Sequence, residues 1–508
     1  MPMKQLRRRK KPRILIITPE ITYLPEGMGN MANRMSAKAG GMADVSASLI
    51  AALFNKGADI HVCLPHYRRM FNVEVGRLIA EELRVYKSKL PTSRIHLAED
   101  RIFYYRENVY RGAGDDTRVA LAFQREALNN IISMVKPDLI HCNDWMTGLI
   151  PGAARRQNIP CLFTVHNIHT QRITLAQIED AGIDAAEFWP NLFYTVPPGC
   201  YEETRDTVPV DLLTSGIFGA HFINTVSPTF LSEVVEGRHD FVPEAVRYEM
   251  ACKRDAGCAA GILNAPDPVY DPAADPMIEK HYEAQSHAEG KRENKLHFQE
   301  KVGLHRDSGA PLFFWPSRLD PVQKGCQLLT DILYDTVAAY AREGMQIAVV
   351  ASGAYEPHLH DIVRFHDLYG RVAVCGFDEA LSHLGYAASD FMLIPSLFEP
   401  CGLPQMISSI YGSLPIAHDT GGLHDTVVPL DAGAGTGNGF RFENYDSGGL
   451  RWAIDCAMAF YRLPEEQRAA QVSRVMRESG ERFTHAAVAR RYIEIYEKML
   501  QRPLVEQF

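Results

Sequence analysis

The chain is 508 residues long, 46% hydrophobic and 23% charged, the balance of a globular protein with room for two or more cores. A formal net charge of −9 argues against nucleic acid or an anionic membrane as its main partner. No run approaches the roughly 20 apolar residues of a membrane span. The basic N-terminal cluster MPMKQLRRRKKPR lacks the apolar stretch of a secretory signal, so a cytoplasmic location is expected. Ten cysteines are scattered without C-x-x-C pairs, which reads as reduced thiols with no zinc site. His141 and Cys142 are adjacent and, in a strand, would point to opposite faces, a poor metal pair.

In chain order, RILIITP (13–19) is an apolar, β-branched run ending at Pro19, the pattern of a buried parallel strand. MADVSASLIAALFNKG (42–57) carries Val45, Leu49, Ala52 and Leu53 at helical spacing, with Gly57 as its C-cap. DIHVCLP (59–65), DLIHCND (138–144), CLFTVHN (161–167) and HFINTVSP (221–228) repeat an apolar run closing on polar residues. Periodicity breaks down over 230–265, and the proline-rich GILNAPDPVYDPAADP (261–276) reads as a crossing between domains. A second series follows in PLFFWPSRLD (311–320), QIAVVASG (346–353), RVAVCGF (371–377), FMLIPS (391–396) and SLPIAHD (413–419). Strand–helix alternation predicts an α/β protein of two doubly wound parallel-sheet domains, at 1–250 and 251–484. The amphipathic HAAVARRYIEIYEKML (485–500) opens a segment, 485–508, expected to pack back on the N-terminal domain.

Ligands of open α/β sheets collect at the carboxyl ends of strands, beside helix N-termini. The polar residues expected there are Glu20, Asp144, His166 and Asn167 in the first series, and Arg318, Phe377, Glu399 and Thr420 to Leu423 in the second. KAGGMADV (38–45) sets Lys38 before Gly40 and Gly41 and then opens a helix, and TGGLHDTV (420–427) repeats the device with Gly421 and Gly422. Glycines let backbone N–H groups approach an anion, which the helix N-terminus also favours. One such turn is usually only a turn; two, one per domain, point to a phosphate-bearing ligand in a cleft between them. No G-x-x-x-x-G-K-[ST] occurs, so a P-loop is excluded. SRLDPVQKG (317–325) supplies Arg318 and Lys324, two cations suited to a diphosphate leaving group, although the stretch alone reads as a solvated basic loop. SLFEPCGLPQ (396–405) places Glu399 and Cys401 in a tight turn after a strand. A carboxylate there needs a ligand or a cationic neighbour. Cys401 serves equally well as a small buried hydrophobe.

Taken together, KAGGMAD, IHCNDW, TVHN, TVSPTF, GILN, SRL…QKG, FEPCGLPQ and TGGLHDTV stand in the order of the bacterial glycogen/starch synthase family, and the chain resembles that family from about Arg13 to Tyr496. The resemblance implies a retaining glucosyltransferase of GT-B architecture, two Rossmann-like domains facing a cleft. It implies transfer from ADP-glucose to the non-reducing end of an α-1,4-glucan, with no metal or other cofactor. On the same ground Arg318 and Lys324 would hold the diphosphate, and Thr420, Gly421, Gly422 and Leu423 would approach it by backbone. Lys38, Gly40 and Gly41 would close on the nucleotide, and Phe377 would stack on its base in place of the family's usual tyrosine. Glu399 would bond the donor sugar, with Cys401, Gly402 and Leu403 lining its turn. Asp144, His166 and Asn264 would contact the sugar or the oxocarbenium-like transition state.

Several residues depart from the family pattern. NDWM (143–146) stands where H-D-W-H is usual, so Asn143 and Met146 replace two histidines. Pro404 replaces threonine, Ala265 and Pro266 follow Asn264, the arginine–lysine loop is one residue longer, and the connection 21–37 is extended and read as mobile. UDP-glucose as donor, a small acceptor, and a non-catalytic sugar-nucleotide or glucan-binding relative are therefore the alternatives carried forward. A homo-oligomer is a further partner class. A phosphorylase would need a pyridoxal phosphate lysine, and no stretch resembles that site.

Overall fold

The computed structural model describes residues 11–29, 32, 35–71 and 94–505. The basic cluster at 1–10 and residues 30–31 and 33–34 of the long connection lie outside them. The chain forms two compact units. Unit 1 holds the described residues up to Val226, Leu231–Ile262 and those from His485 onward; unit 2 holds Ser227–Phe230 and Leu263–Thr484.

Unit 1 is built on a seven-stranded sheet of β1 (Arg13–Ile17), β2 (Asp59–Pro65), β3 (Ile95–Ala98), β4 (Leu139–Asn143), β5 (Cys161–Val165), β8 (Phe222–Thr225) and β9 (Ala259–Gly261). Its order is β3-β2-β1-β4-β5-β8-β9, with every pairing parallel. The short antiparallel pair β6 (Arg172–Ile173) and β7 (Val210–Asp211) stands apart from it. Strand order reverses between β1 and β4, the switch point at which doubly wound sheets open a crevice. The helix Gly41–Asn55 follows β1 and ends as expected, with Gly57 at φ +79°. Ile21 and Ala37 pair through two backbone hydrogen bonds of 3.0 and 2.7 Å, closing the base of the long connection.

Unit 2 is a six-stranded parallel sheet of β10 (Leu312–Trp315), β11 (Gln346–Val350), β12 (Val372–Cys375), β13 (Phe391–Ile394), β14 (Leu414–His418) and β15 (Phe440–Phe442). The order is β12-β11-β10-β13-β14-β15, reversing between β10 and β13. The central strands β10 and β13 are buried on both faces, which is why they are apolar throughout. On β10, Phe313 and Trp315 enter one core cluster, while Leu312 and Phe314 enter the other. Lys291, on the helix His287–Val302, is buried and donates to Ala387 O (3.1 Å) and Tyr411 O (3.0 Å). It thereby satisfies carbonyls at the ends of the helices Glu379–Ala388 and Pro404–Ile410.

Two sequence expectations change here. The region of lost periodicity, 230–265, is regular: the helices Pro228–Glu236 and Glu244–Asp255 lead into β9. The chain passes into unit 2 at Ile262–Leu263 rather than after residue 250. The C-terminal helix His485–Leu500 belongs to unit 1, where Tyr496 Oη meets His141 Nδ1 at 2.8 Å and Asn224 Nδ2 donates to Tyr492 Oη at 3.0 Å. His141 and Cys142 do diverge: Cys142 Sγ lies 3.7 Å from Cys161 Sγ instead.

Candidate active site

In unit 2 the loops after β10 and β13, the two strands at the switch point, are laced together. Gly325 enters its helix at φ +70°, and a Cβ there would lie 1.9 Å from Pro395 O, so only glycine allows the approach. Leu397 N donates to Gln323 O (2.8 Å), and Gln323 Nε2 donates to Phe398 O (3.3 Å). This lacing brings Lys324 Nζ to 2.5 Å from Glu399 Oε2, and Ser396 Oγ donates to the same oxygen at 3.2 Å. Both charged side chains are 12% exposed, so each ion's burial is offset by the other. The cationic neighbour that Glu399 required is therefore Lys324, despite the extra residue in its loop. Arg318 is exposed, and its guanidinium makes no hydrogen bond or ion pair among the described residues.

The turn bearing Glu399 leans on the TGGL segment. Gly422 N donates to Glu399 O (2.9 Å), and a Cβ on Gly422 would lie 1.9 Å from Cys401 O. Leu423 N donates to Thr420 O (3.0 Å). The Gly422 and Leu423 N–H groups, expected to face a phosphate, are thus already engaged within the protein. Thr420 and Leu423 are buried. Gly402 sits at φ +70°. Gln405 Nε2 donates to Cys401 O, Gly402 O and Thr426 Oγ1 at 3.0, 2.8 and 3.0 Å. Cys401 is buried, its thiol pushed up to about 12 by that burial, and it accepts the Asn264 N–H at 3.4 Å. A thiol held neutral is a packing group rather than a nucleophile. Asn264 is itself buried, and its Oδ1 finds no hydrogen-bond partner among the described residues. Leu403 is half-buried at the N-cap of the helix opened by Pro404, a position where a missing N–H costs nothing. Phe377 follows β12 and is 65% exposed, with its N–H on Ser352 Oγ (2.9 Å).

In unit 1 the strand ends at the switch point carry Glu20 and Asp144. Glu20 is 2% exposed, and its Oε2 accepts the N–H groups of Ala39 (2.7 Å) and Gly40 (3.0 Å). Burial outweighs those bonds and raises its carboxyl to about 7. Gly40 caps the helix that Gly41 begins, and Lys38 Nζ pairs with Asp44 at 2.9 Å. Asp144 is buried and has φ +57° and ψ −179°, a backbone region almost reserved for glycine and costing on the order of 1–3 kcal/mol. That strain aims its carboxylate at the chain after β5: Oδ1 accepts His166 N–H (2.8 Å) and Oδ2 accepts Asn167 Nδ2–H (3.2 Å). Burial raises Asp144 to about 7 against those bonds. His166 Nε2 donates to Asn143 Oδ1 at 3.0 Å, and burial lowers the ring to about 4, keeping it neutral. Asn143 also donates to Ile17 O (3.2 Å), so this departure from the family pattern anchors His166 to β1. Met146 is buried.

The structure therefore assembles Lys324, Glu399, Cys401, Asn264 and the TGGL segment in unit 2, and Asp144 with His166 in unit 1. Lys38 and Phe377 remain on the surface. Glu20 was expected at this strand end but given no role, and the supporting roles of Asn143 and Ser396 were not expected from sequence. Their only signal was position at a strand's carboxyl end. Among the described residues no group of three or more His, Cys, Asp or Glu could hold a metal ion.

Residues 13–244 match the family described as starch synthase catalytic domain. A glycogen synthase of Bacillus licheniformis is 33% identical over 84% of this chain and 89% of its own length. One from Moorella thermoacetica is 32% identical over 98% of both. The catalytic domain of starch synthase IV from Arabidopsis thaliana, solved bound to ADP and acarbose, superposes with a TM-score of 0.75 at 28% identity, covering 97% of this chain and all of that one. Sucrose-phosphate synthase from Thermosynechococcus elongatus shares the fold, with a TM-score of 0.58 at 16% identity. A sheet pair that each reverse order at a switch point, a Lys–Glu pair at one of those points and relatives of this identity along nearly the whole chain agree: it belongs to the glycogen/starch synthase family of GT-B glucosyltransferases.

Proposed function

We propose that the protein transfers glucose from ADP-glucose to the non-reducing end of an α-1,4-glucan, with retention at the anomeric carbon. The observation that carries this reading is the Lys324–Glu399 pair at the carboxyl ends of β10 and β13, with Arg318 uncommitted on the same loop. Breaking the glucose–diphosphate bond places charge on the departing phosphate, and fixed cations stabilise that charge most when it develops in the transition state. Lys324 and Arg318 supply them, so no metal or other cofactor takes part. Glu399 and the open acceptor Asn264 Oδ1 receive donor-sugar hydroxyls. The family resemblance gives Asp144 and neutral His166 a role toward the sugar, Lys38 and Phe377 one toward the nucleotide, and Thr420, Gly421 and Leu423 one toward the phosphate. The acceptor hydroxyl attacks on the face the phosphate leaves, and that phosphate takes its proton. Ten unpaired cysteines suit a reducing, cytoplasmic setting.

Nucleoside diphosphate release, measured from ADP-glucose and from UDP-glucose with and without glycogen, tests the reading. Glycogen-dependent release of ADP is expected, falling about 100-fold or more in Glu399→Gln. Preference for UDP-glucose would overturn the donor, and release indifferent to glycogen would overturn the acceptor. Undiminished turnover in the variant would remove Glu399 from the site.

A further inference from the structure

Unit 2 carries a concave site at the amino ends of its central strands, opposite the ends that bear Lys324 and Glu399. A cavity of about 300 Å³ opens where β10, β13 and β14 begin, lined among others by Gly309, Asp390 and Leu414. Lys324 and Glu399 lie past the other ends of these strands, beyond the roughly 13 Å that β13 itself spans at the usual rise per residue.

The lining is cationic. Lys291, Arg292, Lys295 and Arg468 face two carboxylates, Asp390 and Glu465. Asp390 is committed, accepting Lys295 Nζ (2.6 Å) and Leu312 N (2.8 Å). Glu465 meets Arg292 only at 3.7 Å, with both side chains more than half exposed, so that pair is largely screened. Lys295 spends two donors on the protein and retains a third, while Lys291, lowered to about 7 by its burial, spends two and gains a third when protonated, the form that a bound anion favours. Arg468 lies over the Tyr461 ring at 4.5 Å, and its Nε is buried with no hydrogen-bond partner among the described residues. That unspent donor belongs to a side chain lining the cavity beside two lysines.

We propose that this cavity binds a phosphate-bearing metabolite of monosaccharide size. The guanidinium of Arg468 and the two lysines take the phosphate, with Arg292 adding a fourth cation from the cavity's exposed side, since a phosphate needs several charge-assisted donors at once. The remaining volume, walled by Tyr461 and Phe460, takes the sugar ring.

The test is isothermal titration of the full chain with glucose 1-phosphate and, separately, with inorganic phosphate. Wild type, Arg468→Gln and the surface variant Arg292→Gln are compared, with circular dichroism checking each fold. One glucose 1-phosphate per chain is expected at this site, weakened about tenfold or more in both variants. No binding by wild type overturns the proposal. Affinity unchanged in Arg292→Gln and in any folded Arg468→Gln overturns it too, by placing the ligand elsewhere. Inorganic phosphate binding as tightly as glucose 1-phosphate overturns the sugar half and leaves free phosphate as the source. None of these residues takes part in the proposed transfer, and the readout is binding, so a negative result leaves that reading intact.

Discussion

Glu20 and Asp144 are carboxyl groups that burial holds at about 7. The unfolded chain's carboxyls titrate near 4, so between roughly pH 4 and 7 the folded state binds more protons. Stability is therefore greatest at the acid side of that window and falls as pH rises through it. Glu20 offers a clean test, because both of its backbone donors converge on one oxygen, Oε2, which a glutamine carbonyl can replace. Glu20→Gln is expected to match wild type near pH 4 and to gain on it as pH rises toward 7, by at most about 1.4 kcal/mol per pH unit. Thermal melts of both proteins from pH 4 to 8 measure this; parallel curves would mean that another group titrates. Asp144 adds backbone strain to the same pattern. A strained, protonatable carboxyl beside a neutral histidine is an arrangement that folding alone does not need.

At the scale of elements, the Glu399 turn keeps its shape by close backbone approach to the helix Gly421–Thr426. Gly422→Ala would set a methyl 1.9 Å from Cys401 O and break the 2.9 Å bond from Gly422 N to Glu399 O. We expect a loss of about 2–4 kcal/mol in the stability of unit 2 and a fall in turnover, read by calorimetry and ADP release. A variant that melts and turns over like wild type would show that the turn does not depend on this contact. The same scale explains where sequence periodicity failed. β9 has only three residues, all half-buried, and β15 has three at the sheet edge. Neither is long enough to display an alternation, so the helices before β9 stood next to no recognisable strand and read as a break.

For the whole molecule, the last helix completes the first unit. Ala489, Tyr492, Ile495 and Tyr496 form its buried stripe, and Tyr496 and Thr164 Oγ1 (2.7 Å) take the two ring nitrogens of His141. Burial lowers that ring to about 3, so it is neutral and needs both partners. Tyr496→Phe leaves a buried nitrogen unpaired and is expected to cost about 1–3 kcal/mol. Scanning calorimetry should show the unit 1 transition moved down with unit 2 unchanged; an unmoved transition would mean that water replaces the hydroxyl.

By itself the sequence determined the two strand–helix series, their parallel sheets and the polar residues at the strand ends. Those follow from local periodicity and from the apolar runs that two-sided burial demands. It also placed Glu399, Lys324, Asp144 and His166 among the candidate groups, through motif order along the chain. Only the tertiary structure decided that Lys324 is the partner of Glu399, that Asn143 holds His166, that the Gly422 N–H is already engaged, and that the C-terminal helix closes on β4. Each of these joins residues distant in sequence or depends on how donors are shared. Such contacts arise when the chain folds and competing hydrogen-bond partners are settled, and no local pattern records the outcome.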